Sequence, residues 1–88
     1  MLQKSAKSGS DSKCDCIVTV EPADSISLEY KSKNSAVYKK RTEDLVCEAA
    51  ARYGLNGAKV TIEDFGALGF VIVARLEVAI ERALGGAA

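Results

Sequence analysis

Hydrophobic spacing changes period three times along this chain, and few small folds accommodate such a pattern. From Cys14 the residues alternate, with Cys16, Val18 and Val20 on one side and Ile17, Thr19 and Glu21 on the other, until Pro22 ends the run. This is the period of a half-buried strand. Ile26, Leu28 and Tyr30 then alternate with Ser27, Glu29 and Lys31. The turn-forming residues Pro22–Ser25 between the two strands lead us to expect an antiparallel hairpin.

After Ser32-Lys33-Asn34-Ser35 the spacing becomes helical. Tyr38, Thr42, Leu45, Val46, Ala49, Ala50 and Tyr53 recur at three- and four-residue intervals, with Asn34 or Ser35 as N-cap and Gly54 as the stop. A third strand follows, in which Ala58, Val60 and Ile62 alternate with Lys59, Thr61 and Glu63 before Asp64-Phe65-Gly66 breaks it. Asp64 is expected to cap the next helix and Phe65 to pack on the core. That last helix is predicted over Ala67–Leu84, on a stripe of Leu68, Ile72, Leu76, Ala79, Ile80, Ala83 and Leu84. The β-prone run Phe70-Val71-Ile72-Val73 leaves a second reading, a strand at Gly69–Ala74 and a shorter helix.

The order ββαβα defines an α+β two-layer sandwich, a small mostly antiparallel sheet with two helices on one face. The other sheet face would be left for a partner. Residues 1–13, rich in Ser and Lys, lack periodicity and are expected to be a flexible N-terminal segment; residues 14–84 form one domain and 85–88 a tail.

Size limits what such a domain does alone. A chain of 88 residues buries only roughly 60–65% of its unfolded surface, so its apolar residues are committed to one thin core. The absence of His removes the commonest general base and metal ligand. Twelve basic side chains balance twelve acidic ones, unlike the cationic excess of proteins that meet nucleic acid or membrane surfaces. The longest apolar stretch, Phe70–Ala74, is far short of the ~20 residues that span a bilayer. No apolar run follows Lys4 and Lys7, so no signal peptide is read and a cytoplasmic location is expected.

The charge is uneven along the chain. Residues 1–41 hold eight Lys/Arg against five Asp/Glu, and residues 42–88 hold four against seven. Lys31, Lys33, Lys39, Lys40 and Arg41 are the densest basic group, either a solvated loop and helix start or a docking face for a phosphate-bearing group or an acidic partner. The three cysteines are read as reduced thiols, with Cys16 a buried strand residue and Cys47 a small hydrophobe on the first helix. No metal site is assigned, since a tetrahedral zinc centre needs four ligands and Cys14-x-Cys16 lies at the start of a strand with no His to complete it.

The segments Ala51-Arg52-Tyr53-Gly54-Leu55-Asn56-Gly57-Ala58-Lys59-Val60, Glu63-Asp64-Phe65-Gly66-Ala67-Leu68 and Ala74-Arg75-Leu76-Glu77-Val78-Ala79 together resemble the acyl carrier (gamma) subunit family of citrate lyase. That family carries a D-x-G-A-L turn, then a helix containing A-R-[LV]-E, after an A-R-Y-type helix end. The resemblance spans about residues 8–84. Asp64-Phe65-Gly66-Ala67 is also similar to the carrier subunit of malonate decarboxylase.

The resemblance implies a carrier without catalysis of its own. In the family, a serine near the N-terminus bears 2'-(5''-phosphoribosyl)-3'-dephospho-coenzyme A, installed by a prosthetic-group transferase, whose thiol holds an acetyl ester. The alpha subunit exchanges that acetyl for citrate and the beta subunit cleaves the citryl thioester, so citrate yields acetate and oxaloacetate. A tethered thioester makes each transfer intramolecular. Related complexes acting on malonate or citramalate are alternatives, as is an unmodified module for protein–protein interaction.

The attachment segment departs from the family's G-T-[LM]-E-S-[SGN]-D. Here it reads Gly9-Ser10-Asp11-Ser12-Lys13-Cys14-Asp15, and anchoring on Gly9 and Asp15 puts Lys13 at the serine position. Lysine cannot form the phosphodiester. Ser12, which follows an acid as the family serine does, is the preferred attachment residue, with Ser10 and Cys14 as alternatives. Lys13, Asp15, Arg52 and Arg75 are candidate contacts for the arm or partners. For Arg52 and Arg75 the competing reading is ion pairing with neighbours such as Glu48, Glu77 or Glu81.

Overall fold

In a computed structural model, which describes Leu2 and Lys4 to Gly85, the chain folds into six elements. These are β1 (Ala6–Gly9), β2 (Cys16–Glu21), β3 (Ile26–Lys31), α1 (Ser35–Arg52), β4 (Ala58–Asp64) and α2 (Gly69–Ala83). The sheet runs β1-β2-β4-β3, with β2 antiparallel to both β1 and β4 and β3 parallel to β4. The α+β class and the two helices agree with the sequence pattern, and its ββαβα order holds from β2 onward.

Two features differ from it. Ala6–Gly9, expected to be flexible, forms an additional edge strand paired with Ile17–Val20. Leu2 joins the core, and the Lys4 N–H donates to the Ala83 carbonyl at 3.2 Å.

The second difference is that β2 and β3 do not form a hairpin, because β4 lies between them. The inward side chains Val60 and Ile62 are almost wholly buried, whereas Ile26, Leu28 and Tyr30 are only partly so. β4 therefore takes the centre and β3 the edge. Gly57 makes the crossing feasible: a Cβ there would lie 2.0 Å from the Ala23 carbonyl oxygen, so the connection from β2 to β3 passes directly over the entrance to β4. The Ala58 N–H donates to the Ser25 carbonyl at 3.2 Å.

One sheet face is apolar and covered. A row across it runs Ser8, Val18, Ile62, Tyr30, and the next Ala6, Val20, Val60, Leu28. α2 lies over β1 and β2, α1 lies over β3, and Val46, Ala49, Ile72, Leu76, Ala79, Ile80 and Ala83 from the two helices close a single core. The opposite face carries Lys7, Thr19, Thr61 and Glu29 in one row and Ile17, Glu63 and Lys31 in another, a mixed polar surface.

α1 ends as its sequence predicts. Gly54 adopts φ +64°, the Leu55 N–H donates to the Ala50 carbonyl and the Gly54 N–H to the Ala51 carbonyl, the reciprocal bonding of a Schellman stop. Asn34 is its N-cap residue without a side-chain capping bond. Cys47 is exposed, not packed as a small hydrophobe, and Tyr38, assigned to the core stripe, is 40% exposed.

The β-prone run Phe70–Val73 is helical because Ile72, Leu76, Ala79, Ile80 and Ala83 recur on one face that covers the sheet. Leu68 remains outside this stripe, as the extended N-cap residue of α2. No helix among the described residues is long and apolar enough to cross a membrane.

Candidate functional site: the β1–β2 loop and its neighbouring cleft

Residues 10–15 connect β1 to β2, so the candidate attachment residues sit at the tip of a hairpin. Gly9 enters this turn at φ +101°, and a Cβ there would meet the Cys16 carbonyl oxygen at 1.8 Å. The Ser10 N–H donates to that same oxygen at 3.2 Å, and the Asp15 N–H donates to the Ser12 carbonyl at 3.1 Å.

Asp15 is the buried anchor of the loop. Its Oδ1 accepts from the Cys16 N–H at 2.8 Å and from Arg75 Nε at 3.0 Å. Its Oδ2 accepts from Ser10 Oγ at 2.6 Å and from Arg75 Nη2 at 2.9 Å. The Arg75 hydrogen bonds, followed by those from Ser10 and the Cys16 amide, hold the Asp15 carboxyl well below the usual carboxylate range.

These bonds distinguish the three candidate nucleophiles. The Ser10 hydroxyl is engaged, donating to Asp15 and accepting from the Ser12 N–H at 3.3 Å. Ser12 is exposed, and among the described residues its side chain makes no hydrogen bond within the protein. Cys14 is exposed at φ +66°, a left-handed conformation uncommon for a residue with a Cβ. Its N–H donates to the Phe65 carbonyl at 2.9 Å, and the Phe65 N–H donates to the Asp15 carbonyl at 2.9 Å.

The loop is thereby tied to the turn between β4 and α2. Asp64 shapes that turn: its Oδ1 accepts from the Gly66 and Ala67 N–H groups at 3.0 and 2.7 Å, and its Oδ2 accepts from the Tyr30 hydroxyl. It organises the turn and does not cap α2, whose N-cap is Leu68. Phe65, expected to pack on the core, is 40% exposed.

Beside the loop lies an open cleft of about 840 Å³. Asp11 and Lys13 line it from the β1–β2 loop, Lys33 from the turn before α1, Tyr38 from the first turn of α1, and Phe65 and Leu68 from the turn before α2. Arg41 reaches it from α1, with its guanidinium 4.5 Å above the centroid of the Tyr38 ring.

The structure gathers Ser10, Ser12, Lys13, Cys14, Asp15 and Arg75 around one loop. Arg52, at the opposite end of α1 from the cleft, pairs instead with Glu77 at 2.8 Å. Arg75 pairs with Asp15 and not with Glu77 or Glu81, a partnership invisible in local spacing. Cys14 and Cys16 point to different environments, one to solvent and one into the core, and burial pushes the Cys16 thiol up to about 11. No group of three or more metal-ligating side chains occurs among the described residues. Tyr38 and Phe65 as cleft walls were missed because aromatic residues next to apolar stripes read as core.

Residues 3–83 match the family profile described as "ACP: Malonate decarboxylase delta subunit". Citrate lyase acyl carrier proteins are similar over most of their length. That of Haemophilus influenzae (strain PittEE) is 35% identical over 82 residues, covering 93% of this chain and 86% of the relative. That of Treponema denticola is 32% identical, covering 93% and 94%. Among solved structures, a Pseudomonas malonate decarboxylase hetero-tetramer in complex with malonate contains a chain matching with a TM-score of 0.66 and 25% identity, over 92% of this chain and 84% of that one. These similarities place the protein among small acyl carrier proteins. The chain belongs to the citrate lyase acyl carrier protein family, within the wider family of malonate decarboxylase delta subunits.

Proposed function

We propose that this protein is the acyl carrier subunit of a citrate-lyase-like complex, and that Ser12 bears its phosphoribosyl dephospho-coenzyme A arm. The exposed Ser12 hydroxyl at the tip of a hairpin, which makes no side-chain bond among the described residues, is the observation that carries the assignment. Ser10 is disfavoured because its hydroxyl already bonds Asp15. Lys13, at the family's serine position, is left to act as a cation beside the arm.

Within this reading the arm supplies a terminal thiol that holds an acyl group as a thioester. The chain's own residues position it. Asp15, fixed by Arg75, bonds Ser10 across the loop, and the backbone bonds of Cys14 and Asp15 to Phe65 tie its end to the turn before α2, so Ser12 projects from a defined point. Partner subunits of the transferase and lyase type then reach the thioester without its release, at an effective concentration in the millimolar range for a short tether.

Malonate decarboxylase carriage is the second reading, favoured by the family profile and by the solved hetero-tetramer. In vitro loading tests the site: with purified prosthetic-group transferase and its activated donor, the wild-type chain and Ser10→Ala gain the mass of the arm and Ser12→Ala does not. Loading of Ser12→Ala would transfer the assignment to another residue. Reconstitution with citrate lyase or malonate decarboxylase partner subunits then separates the two readings by which acid is turned over.

A further inference from the structure

The cleft beside the hairpin has a composition that the carrier reading does not require. Its walls include Tyr38 and Phe65, each 40% exposed, and the apolar Leu68. Lys13, Lys31, Lys33 and Arg41 supply cations; Lys31 is partly satisfied by Glu29 at 3.3 Å. Asp11, Glu63 and Asp64 supply the opposing charge.

Arg41 is the least satisfied of these groups. Among the described residues, its Nε and Nη2 are buried without a hydrogen-bond acceptor, and Asp64 Oδ2 pairs with it at 3.7 Å from Nη2. That contact is an ion pair without a hydrogen bond. The Asp64 carboxylate already serves Tyr30 and the Gly66 and Ala67 amides, so little of its acceptor capacity remains for Arg41. Two of its nitrogens thus lack an acceptor while the side chain as a whole is a third exposed, so the guanidinium favours an additional anion at its open side.

The position of the cleft is the second observation. Both residues flanking Ser12, namely Asp11 and Lys13, line it, so a group on Ser12 starts at its rim. A volume of about 840 Å³ falls within the roughly 300–1,000 Å³ typical of small-ligand sites.

We infer that this cleft binds the nucleotide portion of the arm, with the phosphates met by Lys13, Lys33 and Arg41 and the flat base met by Tyr38 and Phe65. The inference rests on the carrier reading for its ligand, but the binding chemistry is that of any adenine nucleotide. Phosphates need cations and a base needs an aromatic or apolar wall, and the cleft offers both. Seating the nucleotide shortens the free part of the arm to its pantetheine end. It thereby gives the thioester a resting position close to the carrier and a reach that lengthens when a partner displaces the nucleotide.

The test uses the unloaded chain, so that its failure leaves attachment at Ser12 standing. Amide chemical shifts are followed while free dephospho-coenzyme A, ADP, pantetheine or inorganic phosphate is titrated in. Dephospho-coenzyme A and ADP are expected to shift Lys13, Lys33, Tyr38, Arg41 and Phe65 with similar affinities, pantetheine to leave them in place, and phosphate to bind more weakly than ADP.

Replacing a charge-assisted contact weakens ADP binding roughly tenfold in Arg41→Gln and in Lys33→Ala, while Lys59→Ala on the open sheet face has no effect. Lys33 is exposed, so its variant remains folded even if Arg41→Gln does not. Absence of shifts in the cleft, equal affinity for phosphate and ADP, or binding unaltered in Lys33→Ala would overturn the inference.

Discussion

Asp15 and Arg75, 60 positions apart in the chain, meet through two parallel hydrogen bonds, Nε to Oδ1 at 3.0 Å and Nη2 to Oδ2 at 2.9 Å. The fork joins the base of the β1–β2 loop to α2. It fixes the loop while leaving the Ser12 side chain outside the network.

The fork gives the loop a pH signature. The Asp15 carboxyl sits well below its ordinary value in the folded chain, Arg75 being the first cause. Its contribution to stability is therefore present above the unfolded carboxylate value of about 3.9 and is lost as pH falls from there toward the folded value. Urea midpoints should show Asp15→Asn less stable than wild type at pH 7, with the gap narrowing below pH 4. A gap of constant size down to pH 2 would deny the pairing this role. Because the two groups act together, Asp15→Asn combined with Arg75→Gln should cost less than the sum of the single changes.

Gly9→Ala should disrupt the hairpin from its base. A methyl group there meets the Cys16 carbonyl oxygen at 1.8 Å and the residue must hold φ +101°. Alanine at a positive-φ site costs more than about 1 kcal/mol even where space allows. Denaturant unfolding should register that loss, and hydrogen exchange should show the Ser10 amide unprotected.

The helix-to-sheet core should respond to truncation in proportion to burial. Ile72 is wholly buried on the sheet-facing side of α2, and Ile72→Ala is expected to cost about 2–5 kcal/mol. Val37, 71% exposed on α1, should change stability by no more than about 0.5 kcal/mol when replaced by alanine. Equal losses at the two sites would contradict the packing described above.

Thiol labelling distinguishes the three cysteines. Cys14 and Cys47 are exposed, whereas Cys16 is fully buried with its thiol pushed up to about 11, chiefly by desolvation. A maleimide at neutral pH should add to Cys14 and Cys47 in the native protein and reach Cys16 only in denaturant. Rapid native labelling of Cys16 would mean that β2 is not held in the sheet.

The layers of this fold were legible because they rest on local spacing. Val18, Val20, Val60 and Ile62 announce strands by alternation, and Ile72, Leu76, Ala79 and Ala83 outweigh the β propensity of Phe70–Val73 by their shared face. β1 was not legible: Ala6 and Ser8 are its inward residues, too small and mixed to show a period, and the strand forms through backbone bonds to β2. Sheet order was hidden as well, since alternation marks a strand without naming its neighbour. Gly57, over which the β2–β3 connection crosses, was the one local sign.

The site was legible in part. Lys31, Lys33 and Arg41 stood out as a basic group and line the cleft, but Lys40 turns to Asp44 at 3.0 Å. Asp15–Arg75 could not be foreseen, because nothing local to either residue names the other.

Intact-mass spectrometry with peptide mapping, on protein isolated from its native host, tests the carrier assignment most directly. The account predicts a chain heavier than its sequence by one phosphoribosyl dephospho-coenzyme A group, with the added mass on the peptide containing Ser12. An unmodified mass in every preparation, from cells in which the partner subunits are present, would contradict it.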